Sequence, residues 1–423
     1  MANARKIAVD ALIRVELDGA YSNLILGQLL SKSSASKEDK SLASAIFYGV
    51  LDRIITLDFY INKLSKIPSK KLQPYTRQVL RSAIYQIYYM DRVPNSAAVN
   101  EAVKLIKKSN ENRNSGYVNA VLRNAADSVI PLPTGSDLFS LSVRYSCPQW
   151  ILKDLVNDYG AQRAEEFLKA FLLPSRVNLR VNTLKISTDD LINKLSEQGV
   201  SSEKTDIDNC IELLSGIDFA DNSLFADGFF HVQDLSSQQC AHSLSAIKGE
   251  RILDLCAAPG GKSFTVAEIM EDSGEIISCD LYESRVSLIT KGAERLGIKS
   301  ISAKVNDATV YNKDLGLFDA VLCDVPCSGF GVIRRKPEIK YKPADDFSSL
   351  EAVQKSIIET SSKYVKKGGR MLYSTCTIRK AENEAIVNWF LDNNRDFSCE
   401  FMHTFYPSEN NDGFFCALLV FNA

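Results

Sequence analysis

From about residue 250 the chain repeats one rhythm: a short apolar strand, a turn, then a helix. Arg251-Ile252-Leu253-Asp254-Leu255 leads through residues 256–262 into a helix from Ser263 to about Met270. Residues 275–279 predict a second strand ending at Asp280, and residues 300–305 a third ending near Asp307. Residues 318–323 predict a fourth and residues 370–374 a fifth. Helical periodicity fills residues 283–296 and 348–365. Continuous apolar strands alternating with helices bury both faces of a parallel, doubly wound α/β sheet, a Rossmann-like fold. Such sheets hold ligands at the carboxyl ends of their strands. Residues 414–421 predict a late strand joining as an antiparallel edge.

The first part of the chain reads differently. Ile7, Ala8, Ala11, Leu12 and Val15 recur at helical spacing, as do Leu42, Ala45, Ile46 and Val50, and Leu80, Ile84, Ile87 and Tyr88. Ser96 is the expected N-cap of a helix whose apolar face is Val99, Val103 and Ile106, leaving Lys104, Lys107 and Lys108 to meet phosphate. Pro131-Leu132-Pro133-Thr134-Gly135-Ser136 breaks the pattern. Beyond it residues 150–173 look helical, residues 177–182 alternate as a strand, and residues 189–199 read as another helix. The expected organisation is an all-α domain over residues 1–133, a small α+β domain over 134–225, and the α/β domain over 226–423. The length, 423 residues, suits about three domains.

Charge follows the same division. The formal net charge of −2 conceals 19 Lys/Arg against 11 Asp/Glu in residues 1–130, and 31 against 41 in the remainder. A basic first domain points to a polyanion partner. The ten cysteines form no C-x-x-C pair and the three histidines are too few for a zinc cluster, so no metal is expected. The longest apolar run has eight residues, against roughly 20 for a membrane span, and the N-terminus lacks a signal-peptide pattern. A soluble, cytoplasmic, monomeric protein without membrane contact is the expectation.

Cys256-Ala257-Ala258-Pro259-Gly260-Gly261-Lys262 follows the first strand and opens a helix, with glycines that allow a close backbone approach to a ligand. Gly261-Lys262-Ser263 matches the end of a P-loop. That pattern needs glycine five positions before Gly261, where Cys256 stands, and G-x-G-x-x-G is also absent. Asp280 lies 20 residues after Gly260, a spacing suited to ribose hydroxyls, and Asp307 is placed to accept from an adenine amino group. With no phosphate-binding pattern beside them, the carboxylates fit S-adenosylmethionine better than a dinucleotide.

Asp324-Val325-Pro326-Cys327-Ser328-Gly329 follows strand four, and Ser374-Thr375-Cys376-Thr377 follows strand five. Two thiols past neighbouring strand ends, with Asp324 beside them, suit methylation of a pyrimidine carbon. A thiolate adding to carbon-6 of cytosine makes carbon-5 nucleophilic, and a carboxyl group at ring N3 stabilises the developing charge. A base then removes the carbon-5 proton and the thiol leaves. The residues alone leave open which thiol attacks.

At these three blocks the chain resembles the RsmB/Nop2/Sun family of RNA cytosine-carbon-5 methyltransferases. The usual Ala before the Pro-Cys pair is replaced by Val325. The helical N-terminus resembles a NusB-type RNA-binding domain. Residues 329–338 and Asp412-Gly413-Phe414-Phe415 resemble the branch that methylates 16S ribosomal RNA. The resemblance implies that residues 256–262 with Asp280, Asp307 and Asp324 bind S-adenosylmethionine. It makes Cys376 the nucleophile and Cys327 the residue assisting product release, with Lys262 near the base. It implies naked or partly assembled 16S ribosomal RNA as substrate, with Arg334, Arg335 and Lys336 on phosphate and an unstacked cytosine, cytosine-967, as target. Arg180-Val181-Asn182 and Gln233-Asp234 also resemble family segments, without a role. Two other classes compete. One is a non-catalytic assembly factor with a silent methyltransferase fold, against which the intact thiols and Asp324 speak. The other is an amino-group methyltransferase, which wants an Asn/Asp-Pro-Pro-Tyr turn in place of Asp324-Val325-Pro326-Cys327.

Overall fold

The computed structural model of the chain describes residues 3–19 and 22–422. Residues 1 and 2 of the stretch weighed above against a signal peptide lie outside them. The chain divides into two compact units, Met1–Leu172 with Ile333–Lys342, and Leu173–Val332 with Pro343–Ala423.

The first unit is helical: α1 (Ala4–Asp18), α2 (Ser22–Ser31), α3 (Lys37–Asp52), α4 (Ile54–Leu64), α5 (Pro74–Tyr89), α6 (Asn95–Lys107), α7 (Ser115–Asp127), α8 (Leu138–Tyr145), α9 (Gln149–Tyr159) and α10 (Ala161–Phe171). The starts of α1 and α3 are set by Asn3 and Ser36, whose side-chain oxygens accept from Lys6 N and Asp39 N. Gly19, in the left-handed region, ends α1. The expected apolar stripes form one core, with Leu12, Ile46, Val50, Leu80 and Ile84 all buried.

Two local expectations change. The cap of α6 is Pro94, whose carbonyl accepts from Ala97 N and Ala98 N, and Ser96 lies inside the helix. Residues 150–173 form two helices, because Gly160 takes a φ of 79° between α9 and α10. The helical unit also runs past the 131–136 breaker to Leu172 and takes in Ile333–Lys342. Within it, Ser22 Oγ donates to Glu338 at 2.9 Å and Lys340 Nζ to Asp52 O at 2.8 Å.

The second unit holds two sheets. The smaller has the order β2-β3-β1-β4, all antiparallel, from β1 (Val177–Val181), β2 (Ser202–Lys204), β3 (Cys210–Leu213) and β4 (Phe230–Val232). Around it lie α11 (Thr188–Glu197), α12 (Ser223–Ala226) and α13 (Leu235–His242). Leu179, Val181, Leu191, Leu195, Ile211 and Phe230 fill its core.

The larger sheet has seven strands in the order β10-β11-β9-β8-β5-β6-β7. They are β5 (Arg251–Asp254), β6 (Glu275–Asp280), β7 (Ile301–Val305), β8 (Phe318–Asp324), β9 (Val365–Thr375), β10 (Phe397–Phe405) and β11 (Phe414–Phe421). Strands β5 to β9 pair in parallel, with α14 (Gly261–Ile269), α15 (Glu283–Leu296) and α16 (Leu350–Ser362) between them and α17 (Glu384–Asn393) after β9. The strand order places the ends of β5, β8 and β9 side by side. Strand β11 is antiparallel to β9, as expected, but it is not the edge. It is buried through most of its length because β10 pairs along its other side. No helix among the described residues is long and apolar enough to cross a membrane.

Candidate active site

Strand β5 ends at Asp254, which is buried with its carboxyl pushed up to about 7 by burial. Its Oδ2 accepts from Ser263 Oγ at 2.7 Å, which fastens the first turn of α14 to the strand. Between them runs the loop of residues 256–260. Cys256 is half-buried, and burial pushes its thiol well up, so it acts as packing rather than as a nucleophile. Ala257 and Ala258 are buried and Pro259 is exposed, with a cis peptide bond before it.

The two glycines of the loop do different things. Gly260 has a φ of 113°, and a Cβ there would lie 2.3 Å from the Phe264 ring, which also crowds Gly292. Gly260 therefore serves packing and turn geometry. At Gly261 a Cβ would rest in ordinary van der Waals contact with the Gln233 side chain at 3.7 Å, so this position has room for a methyl group.

Asp280 ends β6 and is 4% exposed. Its Oδ2 accepts from Ala258 N at 3.3 Å and faces Arg285 Nη2 at 3.4 Å, while the same guanidinium donates to Ala258 O at 2.8 Å. Asp280 and the loop are thereby locked together. Asp307 is exposed beyond β7 and accepts from Thr309 N and Oγ1, which hold its carboxyl below the usual range. Asp324 ends β8. Its Oδ2 accepts from Lys262 Nζ at 2.7 Å and its Oδ1 from Ser374 Oγ at 2.8 Å, and the side chain stays 31% exposed. Three carboxylates thus stand at the ends of β6 and β8 and beyond β7, beside the start of α14. That donor and acceptor set fits a nucleoside with a charged amino-acid tail.

The thiols meet. Cys327 Sγ lies 3.2 Å from Cys376 Sγ, and both residues are half-buried and outside any disulfide. Adjacency of β8 and β9 makes this possible: Asp324 pairs with Ser374, and Val325 N donates to Ser374 O at 3.0 Å. The surroundings are unequal. The Cys327 thiol is pushed well up, first by its hydrogen bond to Cys376, then by burial, and further by the charges of Cys376 and Glu382. Lys262 is almost fully buried. Burial opposes its charge, but Asp324 and the thiols Cys240 and Cys376 hold its ammonium above the ordinary lysine value. The cation thus interacts with Cys376 and the buried anion Glu382 with Cys327. Lys262 also stands 5.0 Å from the centre of the Phe414 ring.

Gly331 N donates to Cys376 O at 3.0 Å, and Gly413 N donates to Gly331 O at 2.8 Å. A Cβ at Gly331 would meet Gly413 O at 1.9 Å, so these two glycines permit a backbone-to-backbone contact beside the thiols.

The three family models that match divide the chain among them. They are the 16S rRNA methyltransferase RsmB/F model over residues 241–420, the NusB family over 2–127, and an RsmF/B-like ferredoxin-like domain over 147–220. A probable ribosomal RNA small subunit methyltransferase B of Bacillus subtilis is 36% identical over 404 residues, 93% of this chain and 89% of that one. The chain belongs to the RsmB/F methyltransferase family.

An Escherichia coli O1:K1 / APEC ribosomal RNA small subunit methyltransferase B is 32% identical, covering 99% of this chain and 98% of that one. Among solved structures, that of PH0851 superposes with a TM-score of 0.84 at 26% identity, covering 99% of both chains. The structure of NSun6 from Pyrococcus horikoshii with SFG superposes with a TM-score of 0.61 at 21% identity, a likeness of fold. A helical NusB domain, a ferredoxin-like middle domain and a Rossmann-like methyltransferase sheet make up the chain, and S-adenosylmethionine is the methyl donor of the family.

Of the expected site residues, the structure brings together Lys262, Asp324, Cys327 and Cys376, and sets residues 256–261 beside Asp280. Arg334, Arg335 and Lys336 lie in Ile333–Lys342, which is part of the first unit, and only Lys336 is exposed. Arg334 is 7% exposed, so its guanidinium is not displayed for phosphate. Lys104 and Lys107 on α6 and Lys108 at its C-cap are exposed, with Lys104 paired to Glu101 at 2.7 Å. Sequence reasoning missed Glu382 and Asn383. It left Arg180 and Asn182 unassigned. Arg180 ties β1 to Glu268 of α14 at 2.8 Å, and Asn182 donates to Gly228 O and Leu296 O.

Proposed function

We propose that this chain methylates carbon-5 of a cytosine in 16S ribosomal RNA through a covalent adduct to Cys376, the target being cytosine-967 by resemblance. The observation that carries the reading is the 3.2 Å contact of two thiols outside any disulfide, with a cation interacting with one and an anion with the other. Bound S-adenosylmethionine supplies an electrophilic methyl group. Asp280 and Asp307 would hold its nucleoside and the start of α14 its amino-acid end. Cys376, favoured as thiolate by Lys262 and by the Cys327 S–H, attacks carbon-6 of the unstacked base. Ring N3 takes up a proton from solvent as the thiolate adds, and Asp324, whose two oxygens are oriented by Lys262 and Ser374, accepts from the N3–H so formed, which holds the adduct in its neutral enamine form. After transfer the carbon-5 proton leaves to a base. The carbon–sulfur bond to Cys376 then breaks, and the Cys327 S–H stabilises the departing thiolate. Lys104, Lys107, Lys108 and Lys336 are the proposed phosphate contacts, and ribosomal RNA places the reaction in the cytoplasm.

The test uses 16S ribosomal RNA transcript and methyl-labelled donor. Cys376→Ala should abolish transfer, whereas Cys327→Ala should leave labelled RNA attached to protein on a denaturing gel. Normal turnover by Cys376→Ala, or no adduct with Cys327→Ala, would overturn the assigned roles. Mapping 5-methylcytosine in ribosomal RNA from a strain lacking the protein identifies the nucleotide.

A further inference from the structure

Both thiols are held in place through their chain neighbours, and the holding groups come from one dipeptide, Glu382-Asn383. Glu382 is fully buried, in the turn before α17. Its Oε2 accepts from Ser328 N at 2.9 Å and from Gln354 Nε2 at 2.9 Å, and the same amide nitrogen donates to Pro326 O at 3.0 Å. The residues on both sides of Cys327 are thus gripped by the carboxylate and its amide partner. Asn383 does the same for Cys376. Its Oδ1 accepts from Thr375 Oγ1 at 2.6 Å and its Nδ2 donates to Thr377 O at 3.0 Å. The Ser328 and Thr377 hydroxyls, each one residue past a thiol, meet at 2.8 Å. The clamp is anchored by Tyr373 OH on Glu382 O at 2.7 Å and by Arg379 Nη1 on Oε1 at 3.1 Å. A carboxylate with no exposure is costly unless its lone pairs are used, and here backbone, amide and guanidinium donors use them.

We infer that Glu382 is a positioning residue for thiol release, its buried carboxylate fixing the Pro326–Ser328 turn so that the Cys327 S–H points at Cys376. This rests on the covalent reading above. Glu382 touches neither base nor methyl donor; it acts through Cys327. Its negative charge also disfavours a thiolate at Cys327, which keeps the proton where the departing Cys376 needs it. A purely structural carboxylate would lower stability and all kinetic steps together. A positioning carboxylate slows release more than attack, so the adduct builds up.

The experiment compares Cys327→Ala, Glu382→Gln and Gln354→Met, full-length, with the 16S transcript and S-adenosylmethionine. It reads multiple-turnover rate, the fraction of RNA covalently attached after denaturation, and the unfolding midpoint. Glu382→Gln retains an acceptor for Ser328 N but puts an amide N–H against the donors on its other side. It is expected to cut turnover about tenfold or more and to raise the adduct fraction severalfold over the parent. Gln354→Met, which leaves the carboxylate and removes the link to Pro326, should shift both in the same direction by less, and it decides the matter if Glu382→Gln does not fold. An adduct with Cys327→Ala but none above parental level with the clamp variants overturns this inference alone. No adduct with any variant overturns the covalent reading beneath it.

Discussion

The most demanding stability prediction concerns Arg180, which pins the ferredoxin-like sheet to the helix carrying the cofactor loop. Arg180 is 2% exposed and the Glu268 side chain 0%, with Nε 2.8 Å from Oε2. Arg180 Nη1 also donates to Asp208 O at 2.8 Å and lies 3.0 Å from His242 Nε2. Burial already pushes the Glu268 carboxyl up to about 7, against the pull of Arg180. Arg180→Met keeps the length of the side chain and removes the cation. Removing one partner of such a pair costs ~3–5 kcal/mol, a large share of the ~5–15 kcal/mol that holds a domain together. Proton uptake limits the loss. The folded protein favours the neutral carboxyl, so the penalty for an ionised Glu268 is present above its folded pKa and fades as pH falls toward the ordinary glutamate value of 4.5. Removing Arg180 raises the folded pKa of Glu268 above the parent's value of about 7, so urea unfolding of parent and variant between about pH 5 and pH 8 should show a gap that is level up to about pH 7 and widens above it. Arg180→Met with Glu268→Leu should recover most of the loss, because no charge is then left in the core. A gap below about 1 kcal/mol, or one unchanged across that pH range, would refute the electrostatic account.

Two further outcomes follow from single positions. Gly260→Ala should destabilise the catalytic unit by several-fold more than Gly261→Ala in thermal unfolding, because only the first meets the Phe264 ring and an unfavourable φ. Gly261→Ala should fold normally, because its methyl group only touches the Gln233 side chain; a midpoint as low as that of Gly260→Ala would refute this. Lys107→Ala with Lys108→Ala should lower RNA affinity and reduce the slope of log affinity against log salt by about 0.7–0.9 for each phosphate no longer neutralised by a lysine. An unchanged slope in filter binding would take α6 out of the RNA interface.

The parallel sheet, the loop after β5 and the pair of cysteines past β8 and β9 are legible in one dimension. They depend on local period and on motif spacing, which the chain writes out residue by residue: Ile252-Leu253-Asp254 reads as a strand and Gly260 as the turn that opens the next helix. Element ends were softer, as at Gly160 and Pro94, where a single φ or a carbonyl decides. Long-range pairing is another matter. Glu382 reads as one more loop carboxylate, Arg180 as one more strand cation, and Phe414–Phe421 as an edge. Only strand order puts β8 against β9, brings the two sulfur atoms to 3.2 Å, and covers β11 with β10. Only burial then sorts the charges, because a carboxylate or ammonium excluded from water must find a partner. Here those partners, Ser328 and Gln354 for Glu382 and Asp324 for Lys262, come from distant parts of the chain and make the two thiols unequal.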